Sequence, residues 1–358
     1  MIQGHGGNVA SVAARLGCKP DEIVDMSSNI NPLGVVPGLL EHLHQRLDTV
    51  MSLPEVDAGA AVAGIADILG IDAGRVLMGT GSTQFIYTAC PALGAKKVLI
   101  VGPTYADYTS SCRMHGIVPD YFLAQPGEDF QVNCEQLAEK ASEFDTVFIC
   151  NPNNPTGALI PHQELLALCK RLPQTKFIID ESYLPFAPQQ VDQSMTSCAC
   201  ENVIVLWSLS KIYGIPGLRA GFLIGSAGVV EQFRRYMQPW CANSLAQEAI
   251  GYLAANKQIL EDFVSKTKMY LAEEMATFRS QLAGCGATLY PSVTPYQLIG
   301  LPRGHTAEEV CERLVDDRLL IRNCSNFHGL DSGYVRISLK KAEINRMAAR
   351  LFVAAIGR

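Results

Sequence analysis

Four side chains of different chemistry fall in a fixed order along the chain. They are Asn154 in Asn-Pro-Asn-Asn-Pro-Thr-Gly, Asp180 closing Lys-Phe-Ile-Ile-Asp, Lys211 in Ser-Leu-Ser-Lys, and Arg219 ending Gly-Ile-Pro-Gly-Leu-Arg. A lysine amine can bond an aldehyde and later be displaced by a substrate amine. A carboxylate at the end of an apolar strand can keep a heterocyclic nitrogen protonated, which makes the ring an electron sink. A forked cation with hydroxyls beside it, here Arg219 with Ser208 and Ser210, suits a phosphate. Asn154 and Tyr183 can hydrogen-bond a phenolic ring oxygen. These are together the needs of pyridoxal 5'-phosphate, and the chain reads as an enzyme that uses it. Most lysines are solvated surface groups, and what separates Lys211 from them is its flanking Ser-x-Ser and the downstream arginine. An aspartate after a strand commonly caps a helix, but Asp-Glu-Ser-Tyr runs into Pro185 instead of a helical pattern. Asn154 sits in a turn-rich composition that would by itself explain an asparagine.

A second glycine-bearing stretch serves the same cofactor. Gly79-Thr80-Gly81-Ser82-Thr83 follows an apolar run, Arg75 to Met78, and opens a predicted helix from Gln84 to Ala89. Backbone N–H groups at such a helix start bind phosphate, so Gly81, Ser82 and Thr83 are candidates for it. Neither a G-x-G-x-x-G fingerprint nor a Walker lysine accompanies the loop, which disfavours a nucleotide. Tyr105 follows another apolar run and can stack on the pyridine face.

The elements that must position these groups are legible as a pattern. Apolar β runs at Arg75–Met78, Lys97–Val101, Thr146–Cys150, Lys176–Asp180, Val203–Trp207 and Ala220–Ile224 are separated by helical stretches. Strands apolar on both faces with helices between them predict a mostly parallel α/β sheet, with ligands gathered beyond the C-terminal strand ends. Residues 1–40, rich in Gly, Asn and Pro around one helical stretch (Asn8 to Leu16), read as an arm. Residues 41–240 read as the large cofactor-binding domain. The span 241–358 reads as an interdomain helical region, Leu245 to Leu282, and a smaller α+β domain. Its strands are expected at Ala287–Tyr290, Gln297–Gly300, Leu319–Arg322 and Tyr334–Ser338, and its helices at Thr306–Asp316 and Lys341–Ile356.

Composition bounds the function. At 358 residues with 48% hydrophobic content the chain can build two cores. A net charge of −6 supplies no basic face for nucleic acid or anionic lipid, so the expected partner is a small molecule. With no signal-like or membrane-length apolar segment, a cytoplasmic protein is expected. The twelve cysteines are scattered, with Cys198 and Cys200 forming only a C-x-C. Reduced thiols and no metal site are therefore expected.

With these residues in hand, the chain resembles the class I/II aminotransferases of fold type I over nearly its whole length. Within that superfamily it is similar to the threonine-phosphate decarboxylases of cobalamin biosynthesis and to the histidinol-phosphate aminotransferases. Three stretches favour the decarboxylases. They are His5-Gly6-Gly7-Asn8 with Ser28-Asn29-Ile30-Asn31-Pro32-Leu33-Gly34, Gln238 to Asn243, and Ile321 to Asn326 with Gly329-Leu330-Asp331. The resemblance implies a substrate site at His5, Gly6, Asn29, Arg322 and Arg336, the two arginines sharing the phosphate and carboxylate of a phospho-amino acid. It implies α-decarboxylation of L-threonine O-phosphate, or of L-serine O-phosphate, whose missing methyl is worth only about 1 to 3 kcal/mol in a pocket. The alternatives are an aminotransferase of the histidinol-phosphate type and a non-catalytic pyridoxal-phosphate-binding protein. The resemblance also implies a homodimer with shared active sites. One position departs from the pattern, because the family usually has a tyrosine before proline that reaches the partner's cofactor phosphate, and here stands Leu53-Pro54.

Overall fold

The computed structural model describes residues 6–188 and 193–357. Its strands are, in chain order, β1 (Val24–Asp25), β2 (Val76–Thr80), β3 (Val98–Gly102), β4 (Asp120–Leu123), β5 (Thr146–Cys150), β6 (Lys176–Asp180), β7 (Val203–Ser208), β8 (Ala220–Ile224), β9 (Thr288–Leu289), β10 (Tyr296–Gly300), β11 (Leu319–Leu320), β12 (Arg322–Asn323) and β13 (Tyr334–Ser338). Seven of them form one sheet in the order β2-β8-β7-β6-β5-β3-β4. All neighbours in it run parallel except β8, which is antiparallel to both β2 and β7.

The sheet is covered on both faces. Phe177 and Ile179 belong to one apolar cluster and Ile178 to the other, and Val147 and Ile149 alternate with Phe148 in the same way. The two-residue period of a strand sends Asp180 to the face of Ile178, toward Phe148 and Tyr108. The sequence pattern anticipates six of the seven strands but not β4. That edge strand carries Asp120 and is only half-buried, so it lacks the continuous apolar run that marks its neighbours.

The smaller sheet has the order β12-β13-β10-β9, antiparallel throughout. Here the expected strand Leu319–Arg322 is corrected. Leu319 and Leu320 pair in parallel with β1, while Arg322 and Asn323 pair with β13, so the chain changes partner at the buried Ile321. Apolar periodicity cannot show a change of partner. The expected helical stretch Leu245 to Leu282 is two helices, Ser244–Ala255 and Lys257–Gln281, broken at Asn256. The phosphate-loop helix is also longer than expected, running Ser82–Leu93 through Pro91.

The arm is tied down by hydrogen bonds from the Asn31 backbone and side chain that matter to the site. Asn31 N–H donates to the Lys211 carbonyl at 3.0 Å, and the Asn31 amide donates to the Ile212 carbonyl at 2.7 Å. Gly214, with φ +69°, accepts this crossing because any Cβ there would stand 2.1 Å from the Gly34 carbonyl oxygen. No helix among the described residues is long and apolar enough to cross a membrane.

Candidate active site

Beyond the C-terminal ends of β6 and β7 lies a cavity of about 160 Å³ whose walls include Gly81, Ser82, Thr83, Tyr105, Asn154, Asp180, Tyr183, Ser208, Ser210, Lys211 and Arg219. All eleven cofactor residues expected from the sequence are thus brought together. Asp180 accepts the Ser182 N–H at 3.0 Å and the Tyr108 hydroxyl at 2.9 Å. Burial nevertheless pushes its carboxyl pKa up, since those donors and the Lys211 amine offset only part of the desolvation. A protonated ring nitrogen is the counter-charge this carboxylate lacks.

Lys211 follows β7 in the short helical turn Leu209–Ile212. Burial, reinforced by the like charges of Arg219 and Arg336, brings its amine down to about 8. An amine so shifted is partly neutral, and therefore nucleophilic, near neutral pH. A pH dependence follows with a definite sign. Covalent capture of added pyridoxal phosphate, trapped by borohydride, should speed up about fivefold from pH 7 to pH 8 and level off above about pH 9. An ordinary lysine would still be gaining there.

The phosphate end is shaped by close backbone approaches. Gly81 has φ +79°, and a Cβ there would stand 2.8 Å from the Arg219 guanidinium; one on Gly221 would stand 2.2 Å from the Ser82 nitrogen. Arg219 itself has φ +56°. The Ser210 hydroxyl is buried with no hydrogen-bond partner among the described residues, and an unmet donor here costs free energy unless a ligand oxygen accepts from it. The unmet hydroxyl, the arginine and the helix start at Ser82 fit a phosphate group, and the residues present fit pyridoxal phosphate as a whole.

A second cavity of about 230 Å³ shares Tyr105, Asn154, Tyr183 and Lys211 with the first and adds Gly6, Asn29, Arg322 and Arg336. Asn29 donates to the Tyr183 hydroxyl at 3.0 Å. Arg336, 4% exposed, donates to Asn154 Oδ1 and to the Ser27 carbonyl, and lies 5.1 Å above the Tyr296 ring. Its Nε is buried without a partner among the described residues. Arg322 donates to Asn326 Oδ1 at 2.7 Å and lies 5.0 Å from the Phe327 ring centre. In the β12–β13 register Arg322 and Arg336 are directly opposite, a pairing of like charges that is unfavourable by itself. Expected residue His5 lies outside the described residues.

Several site residues escape sequence reasoning. Tyr108 is one: as an aromatic on a helix (Ala106–Met114) it reads as core, and it does stack on Phe148 with ring centres 5.2 Å apart. Only the fold shows its hydroxyl on Asp180. Tyr108→Phe keeps the stacking and removes a hydrogen bond to a buried carboxylate, worth about 1.5 to 3 kcal/mol. Turnover should fall roughly tenfold or more and the melting temperature by a few degrees, read by steady-state kinetics and calorimetry on the same samples. Asn326, Phe327, Ser27 and Lys340 are likewise visible only in the structure.

Residues 21–351 match the family described as aminotransferase class I and II. The threonine-phosphate decarboxylase of Salmonella typhimurium is 33% identical over 97% of this chain and 95% of its own length. The histidinol-phosphate aminotransferase of Methanocaldococcus jannaschii is 26% identical over 93% of this chain and 89% of its own. Among solved structures, the L-threonine-O-3-phosphate decarboxylase of Porphyromonas gingivalis superposes with a TM-score of 0.83 at 28% identity, covering 94% of this chain and all of that one. The α/β architecture is that of fold type I. With a match running almost from end to end, the chain belongs to the aminotransferase class I and II family.

Proposed function

We propose that this chain is a pyridoxal-phosphate-dependent decarboxylase of O-phosphorylated amino acids, with L-threonine O-phosphate as substrate and 1-amino-2-propanol phosphate as product, a step of cobalamin synthesis. The observation that carries it is the pair Arg322 and Arg336, directly opposite on adjacent strands at a cavity shared with Lys211. Two opposed guanidiniums are stable together when dianionic and monoanionic groups lie against them, which a phospho-amino acid supplies. The 33% identical threonine-phosphate decarboxylase supports the same reading.

When bound, the cofactor supplies an electron sink for the pair released at the substrate α-carbon. Asp180 would keep the ring nitrogen protonated. Lys211 would hold the cofactor through its amine and would supply the proton that replaces carbon dioxide at the substrate α-carbon. Arg322 and Arg336 fix the substrate's two anionic groups. Their work would be orientation: held by both anionic groups, the substrate would present its carboxylate bond, and not its α-hydrogen, for cleavage.

A transaminase of the histidinol-phosphate type would use nearly the same residues to present the α-hydrogen instead, and the 26% identical aminotransferase supports this second reading. Carbon dioxide release from threonine phosphate with no keto acid present is the expected result. Stoichiometric need for 2-oxoglutarate would overturn it.

The assembly proposed is a homodimer. Leu47, Val50, Met51, Leu53 and Val56 are each more than half exposed, and Trp240, which donates to the Val56 carbonyl at 3.2 Å, is 48% exposed. An apolar surface of this extent on one segment is what a partner subunit covers. Met51→Glu with Leu53→Glu should shift the protein from dimer to monomer in sedimentation and lower cofactor affinity at least tenfold. A variant that stays dimeric would sink this assignment. Leu53, where the resemblance leads one to expect a tyrosine, cannot donate a hydrogen bond to a phosphate, which would leave that end of the cofactor to Ser82, Ser208, Ser210 and Arg219.

A further inference from the structure

Val24–Asp25 pairs with Leu319–Leu320, and the chain then turns at Ser27 and Ser28 into the cavity wall at Asn29. The turn is held by one carboxylate. Asp25 Oδ1 accepts Ser27 N–H at 2.8 Å, Ser27 Oγ–H at 2.6 Å and Ser28 N–H at 3.2 Å, while Oδ2 accepts the Ser28 hydroxyl. From the opposite side the Lys340 ammonium donates to the Ser28 carbonyl at 3.0 Å.

Ser27, 1% exposed, faces three ways. Its Oγ accepts the Gly7 N–H at 2.7 Å, its carbonyl accepts Arg336 Nη2 at 2.6 Å, and its own N–H and Oγ–H are spent on Asp25. Gly6 lies so close that a Cβ on it would be 2.6 Å from that same carbonyl oxygen. The Gly6–Gly7 segment and the buried guanidinium thus bear on one peptide group from two directions. Arg336 Nη1 is occupied by Asn154, and its buried Nε has no partner among the described residues.

We propose that Ser27, fixed by Asp25, is a positioning residue for anion capture: it aims Arg336 through its carbonyl and couples that aim to the Gly6–Gly7 segment through its hydroxyl. This rests on the reading that the cavity takes an O-phosphorylated amino acid. Neither residue touches the reacting carbon. Their effect is on how much of the guanidinium's orientation is set before the ligand arrives, which acts on affinity more than on the chemical step.

The test uses the cofactor-loaded protein and two probes, inorganic phosphate and L-threonine O-phosphate, titrated calorimetrically. Ser27→Ala and Asp25→Ala should raise both dissociation constants about tenfold, with kcat for any turnover changed less than about threefold. Asp25→Asn keeps the Oδ1 acceptor and should recover most of the affinity. In the wild type, either probe should slow hydrogen exchange at the Gly7 amide. In Ser27→Ala it should not, a difference that a merely structural role would not produce. Equal affinities for wild type and Ser27→Ala, or Gly7 protection that is indifferent to ligand, would overturn the proposal. Carbon dioxide release is scored separately: wild-type protein that binds both probes but never decarboxylates removes the proposed reaction and leaves Ser27's role standing.

Discussion

Lys211→Ala is expected to abolish turnover, by at least about 10⁴-fold, while the protein stays folded. Both parts follow from the same surroundings. In the proposed mechanism the amine both bonds the cofactor and carries a proton to the substrate α-carbon, and losing nucleophile and acid together removes two contributions, the acid–base part alone being about 10² to 10⁴. In the unloaded protein, however, burial and the charges of Arg219 and Arg336 already disfavour its ammonium form, which is why its pKa falls to about 8. Alanine relieves that cost, so the melting temperature should hold or rise. Cofactor should still bind through Asp180 and Arg219 but leave no covalent label after borohydride reduction. Arginine in its place should not rescue, since a guanidinium stays protonated at any working pH. Turnover surviving in Lys211→Ala would end the role given to Lys211 and with it the proposed mechanism.

How much of this was legible beforehand depended on whether a residue's role is local. Asp180 and Lys211 each close or follow an apolar strand that the composition reveals, and the strand period then fixes the face on which Asp180 emerges. The phosphate cradle was legible for a similar reason: Gly81 and Ser82 lie at a strand-to-helix junction marked by glycine and hydroxyl residues. Roles created by distant parts of the chain were not legible. Tyr108 meets Asp180 across 72 positions and Arg336 meets Ser27 across 309, and no periodicity carries such information. The strand predicted as Leu319–Arg322 failed for the same reason, because its two halves answer to different partners. Arg322 and Arg336 lie between these cases. Resemblance proposed them for substrate, but only the β12–β13 register puts one guanidinium opposite the other.

That register makes Arg336→Ala the second large effect. The guanidinium is the more deeply buried of the two, and its loss would strand the Asn154 side-chain oxygen and the Ser27 carbonyl without their donors. Removing one partner of a buried charge-assisted set costs about 2 to 5 kcal/mol, so kcat/KM for threonine phosphate should fall roughly 10² to 10³-fold. Lysine should restore little of it, because a single ammonium cannot serve Asn154, Ser27 and a substrate anion at once. Arg322→Ala should cost less, since Arg322 is only half-buried and donates to a flanking asparagine. The double variant separates capture of one anion from mutual aid. Arginines holding different substrate groups predict nearly additive losses, whereas a shared anion predicts a double loss well short of the sum. Either way each single variant keeps only one of the two cations that lie opposite each other. Inorganic phosphate should therefore raise the melting temperature of the wild type more than that of either single variant, since binding stabilises only the state that binds, and calorimetry at matched phosphate concentrations reads the difference.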